Sequence, residues 1–396
     1  MDPLKNPFSP GAGSPPPELA GRQPILDKAR IALGRVKAGR SEKSFLLVGL
    51  RGVGKTVLLN EIYKLAIRDG YKSIFVEAHE KKSLAALLLP PLRQILFTLD
   101  RMENVSEKVK RGLRVLKSFF NGIKIKAQEI EFSLDVDPEK GSADSGDLES
   151  DLPILLEVVA EAAADRKIAV AIIIDELQYL SQNELSALIM AIHKISQRQL
   201  PLILFGAGLP QLVALSGRSK SYAERLFDFP QIGPLEKKFA TDALQEPMKE
   251  QNVNFSDEAI DEILAKTKGY PYFLQEWGYQ AWNLATSSPI NIESILNATR
   301  VSIQRLDESF FRVRFDRLTP REKEYLRCLS EFGSGAHRSG QIAEHLGVKS
   351  QSIAPIRNSL IKKGMIYSPT YGDTEFTVPL FDEFMKRAMP SWKITS

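Results

Sequence analysis

Between Gly49 and Thr56 the chain reads GLRGVGKT, and this G-x-x-x-x-G-K-T turn restricts the possible folds more than any other feature. Its flanks agree with it. Phe45 to Val48 is a short apolar run of strand length, and Leu58, Leu59, Ile62, Leu65 and Ala66 recur at helical spacing until Gly70 closes the helix. A strand that enters a glycine-rich turn opening a helix aims several backbone N–H groups and the positive helix end at one point. That point suits a polyphosphate. Gly49, Gly52 and Gly54 let the backbone approach it, Lys55 would reach the β- and γ-phosphates, and the Thr56 hydroxyl would hold Mg²⁺. A chance glycine turn would not bring strand, lysine, threonine and helix into register together. The expected ligand is a nucleoside triphosphate.

Length and composition bound the remainder. A chain of 396 residues can form two or three domains with separate cores. The longest wholly apolar run, Ile168 to Ile174, has a strand's length and falls far short of a membrane span, so no membrane partner is expected. Residues 1–20, with Pro3, Pro7, Pro10 and Pro15 to Pro17, read as an extended proline-rich tail and not as a signal peptide. Cys328 is the single cysteine, which excludes an internal disulfide, and the four scattered histidines give no zinc spacing. A reducing cytoplasm is the economical compartment.

Hydrolysis needs a second element, and IAVAIIIDELQYL supplies it. Ile168 to Ile174 has the continuous β-branched character of a central parallel strand, and it ends in Asp175 and Glu176. Open α/β sheets place ligands at the carboxyl ends of their strands. Asp175 is therefore the candidate for the Mg²⁺ shell, and Glu176 for orienting and polarising the attacking water. Lys72 to Ala78, Leu200 to Gly206 and Phe227 to Ile232 supply further strands alternating with helices, so the expected class is α/β with a doubly wound parallel sheet.

The order of these parts, with a strand and helix between the glycine-rich turn and the Asp175-Glu176 strand, resembles the AAA+ and STAND branches of the P-loop ATPases. PPELAGRQPILDKARIAL resembles the adenine-side segment of archaeal replication initiators and related bacterial ATPases. By that resemblance the nucleotide is ATP, exchanged for ADP, and Gly21 and Arg22 lie near the base and ribose. SYAERLFDFPQIGPL resembles the stretch carrying an arginine that meets the γ-phosphate in cis or from a neighbouring subunit. Arg225 is the matching residue; a salt-bridged surface arginine is the alternative. KGYPYFLQEWGYQAW resembles the G-x-P motif in the helical lid of STAND ATPases, which would set Pro271 against the adenine. The chain departs from the AAA+ pattern at the fourth strand, where Gly206, Ala207 and Gly208 offer no polar side chain. No second-sensor arginine stands at the G-x-P position either. Slow, switch-like ATP hydrolysis is the expectation.

From Lys108 to Lys126 come Lys108, Lys110, Arg111, Arg114, Lys117, Lys124 and Lys126, interleaved with Leu113, Leu116, Phe119 and Phe120 at helical spacing. Residues 129–151 are then acidic, and Ile130, Phe132, Leu134 and Val136 alternate like a half-buried strand. Two readings stand: a solvated amphipathic helix followed by a loop, or a basic face for nucleic acid or a partner. DVDPEKG lacks the register of a calcium loop.

The C-terminal region indicates what a switch would act on. Thr319, Pro320 and Glu322 form a helix start with a capping box ahead of Tyr325, Leu326, Leu329 and Phe332. Ile342, Ala343 and Leu346, a turn at Gly347, and Ile353, Ile356, Leu360 and Ile361 give a helix-turn-helix pattern. With a hairpin from Met365 to Val378 it resembles the winged helix of replication initiators. Phe310 to Ser396 carries 14 Lys and Arg against 9 Asp and Glu, whereas the whole chain is only +4, so the basic excess lies here. Lys349, Gln351, Ser352, Arg357 and Asn358 occupy the second helix or its start, where major-groove contacts to double-stranded DNA would come from. The expected architecture is a P-loop ATPase core over 21–233, a helical lid over 234–299 and a winged helix over 310–390. Its expected function is an ATP-dependent switch on DNA. The alternative is a STAND-type regulator whose winged helix docks a partner protein and whose output is assembly, as a homo-oligomer or with that partner.

Overall fold

A computed structural model describes residues 1–11, 13–102, 106–123, 134 and 136–392. The chain divides into two compact units. One comprises Gln23–Val48 and Lys55–Gln231; the other comprises Met1–Arg22, Gly49–Gly54 and the chain from Ile232 onward.

The first unit alternates helices and strands in the order α1 (Gln23–Lys37), β1 (Ser44–Val48), α2 (Lys55–Arg68), β2 (Lys72–Glu77), α3 (Leu84–Asp100), α4 (Glu107–Gly122), α5 (Leu148–Asp165), β3 (Val170–Asp175), α6 (Gln182–Gln197), β4 (Leu202–Gly208), α7 (Gln211–Ser219), α8 (Ala223–Leu226) and β5 (Phe227–Asp228). The strands form one parallel sheet in the order β2-β3-β4-β1-β5, flanked by helices. This order accounts for the sequence patterns. Strands β3, β4 and β1 have neighbours on both sides and are buried at every residue, whereas the edge strand β2 buries only Ile74. The strand expected from Phe227 to Ile232 is shorter, Phe227–Asp228, with one further bridge from Gln231 to Val48.

The basic segment folds as the amphipathic helix α4, burying Val109, Leu113, Leu116 and Phe119. Its charged face meets acids of its own unit. Arg111 pairs with Glu139 at 3.0 Å and with Glu161 at 3.7 Å, Arg114 with Glu139 at 3.8 Å, and Lys108 with Asp165 at 4.0 Å. Lys117 donates to the Leu134 carbonyl at 3.1 Å. The solvated-helix reading accounts for these residues. Lys124, Lys126, Ile130 and Phe132 lie outside the described residues.

The second unit continues with α9 (Lys237–Gln245), α10 (Asp257–Thr267), α11 (Pro271–Leu284), α12 (Ile292–Arg305), α13 (Arg312–Phe315), α14 (Pro320–Glu331), β6 (His337–Arg338), α15 (Ser339–His345), α16 (Ser350–Lys362), β7 (Ile366–Tyr367), β8 (Asp373–Phe376) and α17 (Phe381–Ala388). Strands β6, β8 and β7 make a small antiparallel sheet, of which β6 has no signature at sequence level. The expected capping box opens α14: Glu322 accepts from the Thr319 N–H at 2.7 Å, and the Thr319 hydroxyl accepts from the Glu322 N–H at 3.4 Å. Residues expected as separate lid and C-terminal domains share one core. Ring centroids run from Phe273 on α11 to Phe310 at 6.0 Å, from Phe310 to Phe311 at 5.2 Å, and from Phe311 to Phe384 on α17 at 5.2 Å. Burying each such ring is worth about 1.5–3 kcal/mol, which holds the two parts together more firmly than a flexible linker would.

The proline-rich segment at the N-terminus is not the extended free tail expected: Pro3–Lys5 forms a single 3-10 turn, and the segment is anchored. Phe8 is buried in the same core, the Asn6 amide donates to the Tyr279 carbonyl and to Asn283, and the Trp282 indole donates to the Asp2 carbonyl at 2.8 Å. The Ser9 N–H donates to Gln275 at 3.1 Å. Four side chains of α11 or their backbone therefore anchor it.

Candidate functional site

The two halves of the glycine-rich motif are held differently. Gly49–Gly54 groups with the second unit, where its backbone is tied at several points. The Gly52 carbonyl accepts from the Tyr272 N–H in the first turn of α11 at 3.2 Å, and the Arg51 N–H donates to the Thr377 carbonyl just after β8 at 3.1 Å. Arg22 is buried, and its guanidinium donates to the Val53 carbonyl at 3.1 Å and to the Gly233 carbonyl at 2.5 Å. Burial lowers its pKa from the ordinary arginine value. The residue expected beside base and ribose thus clamps the loop itself, with Gly21 preceding it. Glycine is required at two points. A Cβ on Gly49 would come within 2.1 Å of the Ile232 carbonyl oxygen, and Gly54 has a φ of +92°. Pro271 begins α11 one residue before Tyr272, so the G-x-P segment adjoins a residue bonded to the glycine-rich loop.

Lys55 and Thr56 open α2 in the first unit, and β3 brings Asp175 to them. The Thr56 hydroxyl donates to the Asp175 carboxylate at 2.6 Å, across 119 residues of sequence. Asp175 is 3% exposed, which pushes its carboxyl up from the ordinary value; the Thr56 hydrogen bond and the Lys55 charge oppose this only in part. Lys55 is itself buried. Glu176 follows in a left-handed conformation with φ +55° and ψ +39°, its N–H donating to Asp175 at 2.8 Å and its carbonyl accepting from the Tyr179 N–H at 3.0 Å. Gln178 donates its amide NH₂ to the Glu176 carboxylate and accepts the Leu209 N–H at 3.1 Å. Sequence reasoning passed over Gln178.

This donor set fits Mg²⁺ and a triphosphate. Thr56 and Asp175 offer adjacent hard oxygens, which is what Mg²⁺ takes from protein when phosphates and water complete its shell. A cage of several acidic or histidine ligands is therefore not required, and among the described residues no group of three or more His, Cys, Asp or Glu is placed to form one. Arg225 lies exposed on the four-residue helix α8.

At the C-terminal surface, α15, a turn and α16 stand in the expected order, and Lys349, Gln351, Ser352 and Asn358 are exposed. Arg357 departs from the expectation. It is half-buried, and its guanidinium donates to Thr374 at 2.9 Å and to Ser368 and the Asp373 carbonyl at 2.7 Å each. Three acceptors in the hairpin turn this arginine inward, where it fastens α16 to the sheet instead of facing a groove. Tyr371, in the turn between β7 and β8, is fully exposed.

With this geometry the comparisons agree. Residues 18–205 match the family model described as AAA ATPase domain, and residues 308–385 match a domain of unknown function (DUF8462). An uncharacterized HTH-type transcriptional regulator of Methanocaldococcus jannaschii is 22% identical, over 89% of this chain and 88% of its own. Among solved structures, the Walker-type ATPase of Pyrococcus abyssi superposes with a TM-score of 0.54 at 16% identity, covering 93% of this chain and 96% of its own. The ADP form of the ORC2 protein of Aeropyrum pernix superposes with a TM-score of 0.52 at 14% identity, covering 95% and 96%. At these identities the structural likeness establishes the P-loop fold alone. No helix among the described residues is long and apolar enough to cross a membrane. A glycine-rich turn tied through Arg51, Gly52 and Val53, a threonine bonded to a strand-end aspartate, and a match over residues 18–205 lead to one conclusion: the chain has a P-loop ATPase core, and those residues are similar to the AAA ATPase domain family.

Proposed function

We propose that this protein is an ATP-binding, slowly hydrolysing ATPase that acts as a nucleotide-dependent switch on double-stranded DNA. The observation that carries the ATPase part is the Thr56–Asp175 hydrogen bond with Glu176 beside it. Bound Mg²⁺·ATP supplies the phosphoryl group and neutralises its charge. The chain's own residues do the rest. Loop N–H groups and Lys55 take the β- and γ-phosphates, Thr56 and Asp175 hold the metal shell, and Glu176 orients water and accepts its proton. Arg225, exposed on α8, is assigned to the γ-phosphate, from this chain or a neighbouring copy. Gly21, Arg22 and Pro271 are assigned to the nucleoside end. Slow turnover rests on the side-chain-poor end of β4.

The switch part rests on the bond from the Arg51 N–H to the Thr377 carbonyl. Thr377 is completely buried just after β8, so a shift of the phosphate loop should be passed to that sheet. The α15-turn-α16 segment with its three-stranded sheet is read as a winged helix over about 310–390, following an ATPase core over 21–233 and a lid over 234–299. Exposed Lys349, Gln351, Ser352 and Asn358 face DNA in this reading, which the regulator name of the Methanocaldococcus relative favours. A second reading, a STAND-type assembly switch that docks protein, is favoured by the inward turn of Arg357 and by exposed Tyr371.

A salt series on duplex DNA separates the two. Lys349→Ala should flatten the slope of log K against log salt by about 0.9, the value for one lost phosphate contact. Arg357→Ala should leave the slope unchanged and loosen the C-terminal fold, because its guanidinium is already engaged three times. Equal slopes for wild type and Lys349→Ala would remove α16 from the DNA surface.

A further inference from the structure

Strand β4 lies between β1 and β3, so its carboxyl end sits at the centre of the sheet edge where both motif strands finish. Val48 of β1 pairs with Gly208 there, and Ile174 of β3 pairs with Gly206. The end of β4 brings no polar side chain of its own, only Gly206, Ala207 and Gly208. A polar group nevertheless occupies the place. Gln178 reaches over from the turn after β3, accepts the N–H of Leu209 with Oε1 at 3.1 Å, and donates from Nε2 to the Glu176 carboxylate.

We infer that Gln178 is the positioning residue for Glu176, doing from the turn after β3 what the end of β4 cannot do. The inference rests on the ATPase reading of Glu176. Its two partners fix the amide's orientation: a backbone N–H needs the oxygen and a carboxylate needs the NH₂, so neither bond survives a flip. Leu209 belongs to the backbone that leaves β4, which makes it a rigid reference point, and Gln178 transfers that rigidity to the Glu176 side chain. Glu176 needs the help. Its backbone adopts a conformation that non-glycine residues visit sparingly, with Asp175 and Tyr179 holding the main chain and Gln178 holding the carboxylate.

The glycines of β4 belong to the same device. A Cβ on Gly208 would lie 3.0 Å from Gln178 Oε1, and a Cβ on Gly206 would lie 2.3 Å from Leu177 Cδ1. The strand end is bare because Leu177 and Gln178 fill the space above it. The polar group above this strand end comes from the turn after β3 and meets Glu176, so the end of β4 still brings none of its own to the attacking water.

Gln178→Ala and Gln178→Glu test this against wild type, with Glu176→Gln as the reference for a lost base. Three quantities are measured: single-turnover phosphate release at saturating Mg²⁺·ATP, ATP affinity by equilibrium titration, and hydrogen exchange of the Leu209 amide in the nucleotide-free protein. Gln178→Ala should slow phosphate release by about 10- to 100-fold, the scale of a misplaced catalytic group, leave affinity within about twofold, and expose the Leu209 amide to faster exchange. Gln178→Glu keeps an oxygen for the Leu209 N–H but loses the donor to Glu176. It should therefore hydrolyse as slowly as the alanine variant while its Leu209 amide stays protected. If Gln178→Glu turns over at the wild-type rate, the bond to Glu176 does nothing and the proposal falls; a Gln178→Ala protein with wild-type phosphate release overturns it equally. Because the glutamate variant is nearly the same size and shape, it decides the question even if the alanine variant does not fold. Absence of phosphate release from wild type would defeat the ATPase reading and this inference together, an outcome distinct from an active wild type stopped by Glu176→Gln and unaffected at Gln178.

Discussion

Lys55→Ala should leave the protein folded but raise the dissociation constant for ATP by about 100-fold, whereas Glu176→Gln should bind ATP normally and slow single-turnover hydrolysis by about 10²- to 10⁴-fold. The contrast follows from what each side chain touches. Lys55 is buried at the start of α2, and a lost charge-assisted bond costs about 1.5–3 kcal/mol. Its loss also removes a positive charge that partly opposes the burial-driven rise of the Asp175 carboxyl, which should weaken the proposed metal side of the site as well. Alanine is a strong helix former, so α2 itself should persist. Glutamine at 176 keeps the size of glutamate and can still meet Gln178, and in the proposed roles Asp175 with Thr56 would still serve the metal, so binding should survive while the base is lost. Equilibrium titration with ATP and quenched-flow phosphate release read the two effects separately. Wild-type ATP affinity in Lys55→Ala would overturn the phosphate assignment, and unchanged hydrolysis in Glu176→Gln would mean that another group handles the water.

The parts of this site that sequence made legible are those in which a pattern and its partner share one local cause. Continuous apolar runs announced β1 and β3, because a central parallel strand is buried on both faces and tolerates no polar alternation. The turn at Gly49 to Thr56 carried its own flanks, and Asp175 at a strand end implied a place near Thr56 before any distance was known. What stayed hidden depends on contacts made at long range. Gln178 is an unremarkable residue of DELQYL until Leu209, 31 residues later, presents its N–H to it. Arg357 was correctly placed on the second helix of the C-terminal segment, but helical position does not say which way a long side chain turns. Acceptors on Thr374, Ser368 and Asp373 decide that, and they come from the hairpin. Strand β6 is two residues long, too short to leave a period. The division into lid and C-terminal domain was read from where patterns change, whereas the phenylalanines from Phe273 to Phe384 join the two parts through one core.

The N-terminal segment is the largest departure, and it yields the second strong expectation: Phe8→Ala should destabilise the protein by about 3–5 kcal/mol, the usual cost of emptying a buried phenylalanine site. Six prolines in residues 1–20 suggest a solvated extended chain, but proline does not prevent burial, and Pro3 opens a single 3-10 turn here. Phe8 is 2% exposed, lies 6.4 Å from Phe255 between ring centroids, and rests on Gly278 of α11. A Cβ on Gly278 would stand 2.6 Å from the Phe8 ring, so the glycine in the middle of this helix is the seat of the ring. Two opposing terms set the outcome of Gly278→Ala. Helix propensity alone would favour alanine by about 1 kcal/mol, while overpacking against a ring that cannot flex costs about 1–3 kcal/mol, so the variant should be destabilised or at best neutral. In Phe8→Ala the ring is gone, the overpacking term vanishes, and adding Gly278→Ala should then stabilise by up to the propensity term. Urea denaturation of wild type, both single variants and the double variant measures that coupling directly, since residues in contact are expected to depart from additivity. Strictly additive effects would mean that Phe8 and Gly278 do not touch in solution, and an unchanged midpoint for Phe8→Ala would mean that the segment is the free tail its prolines suggest.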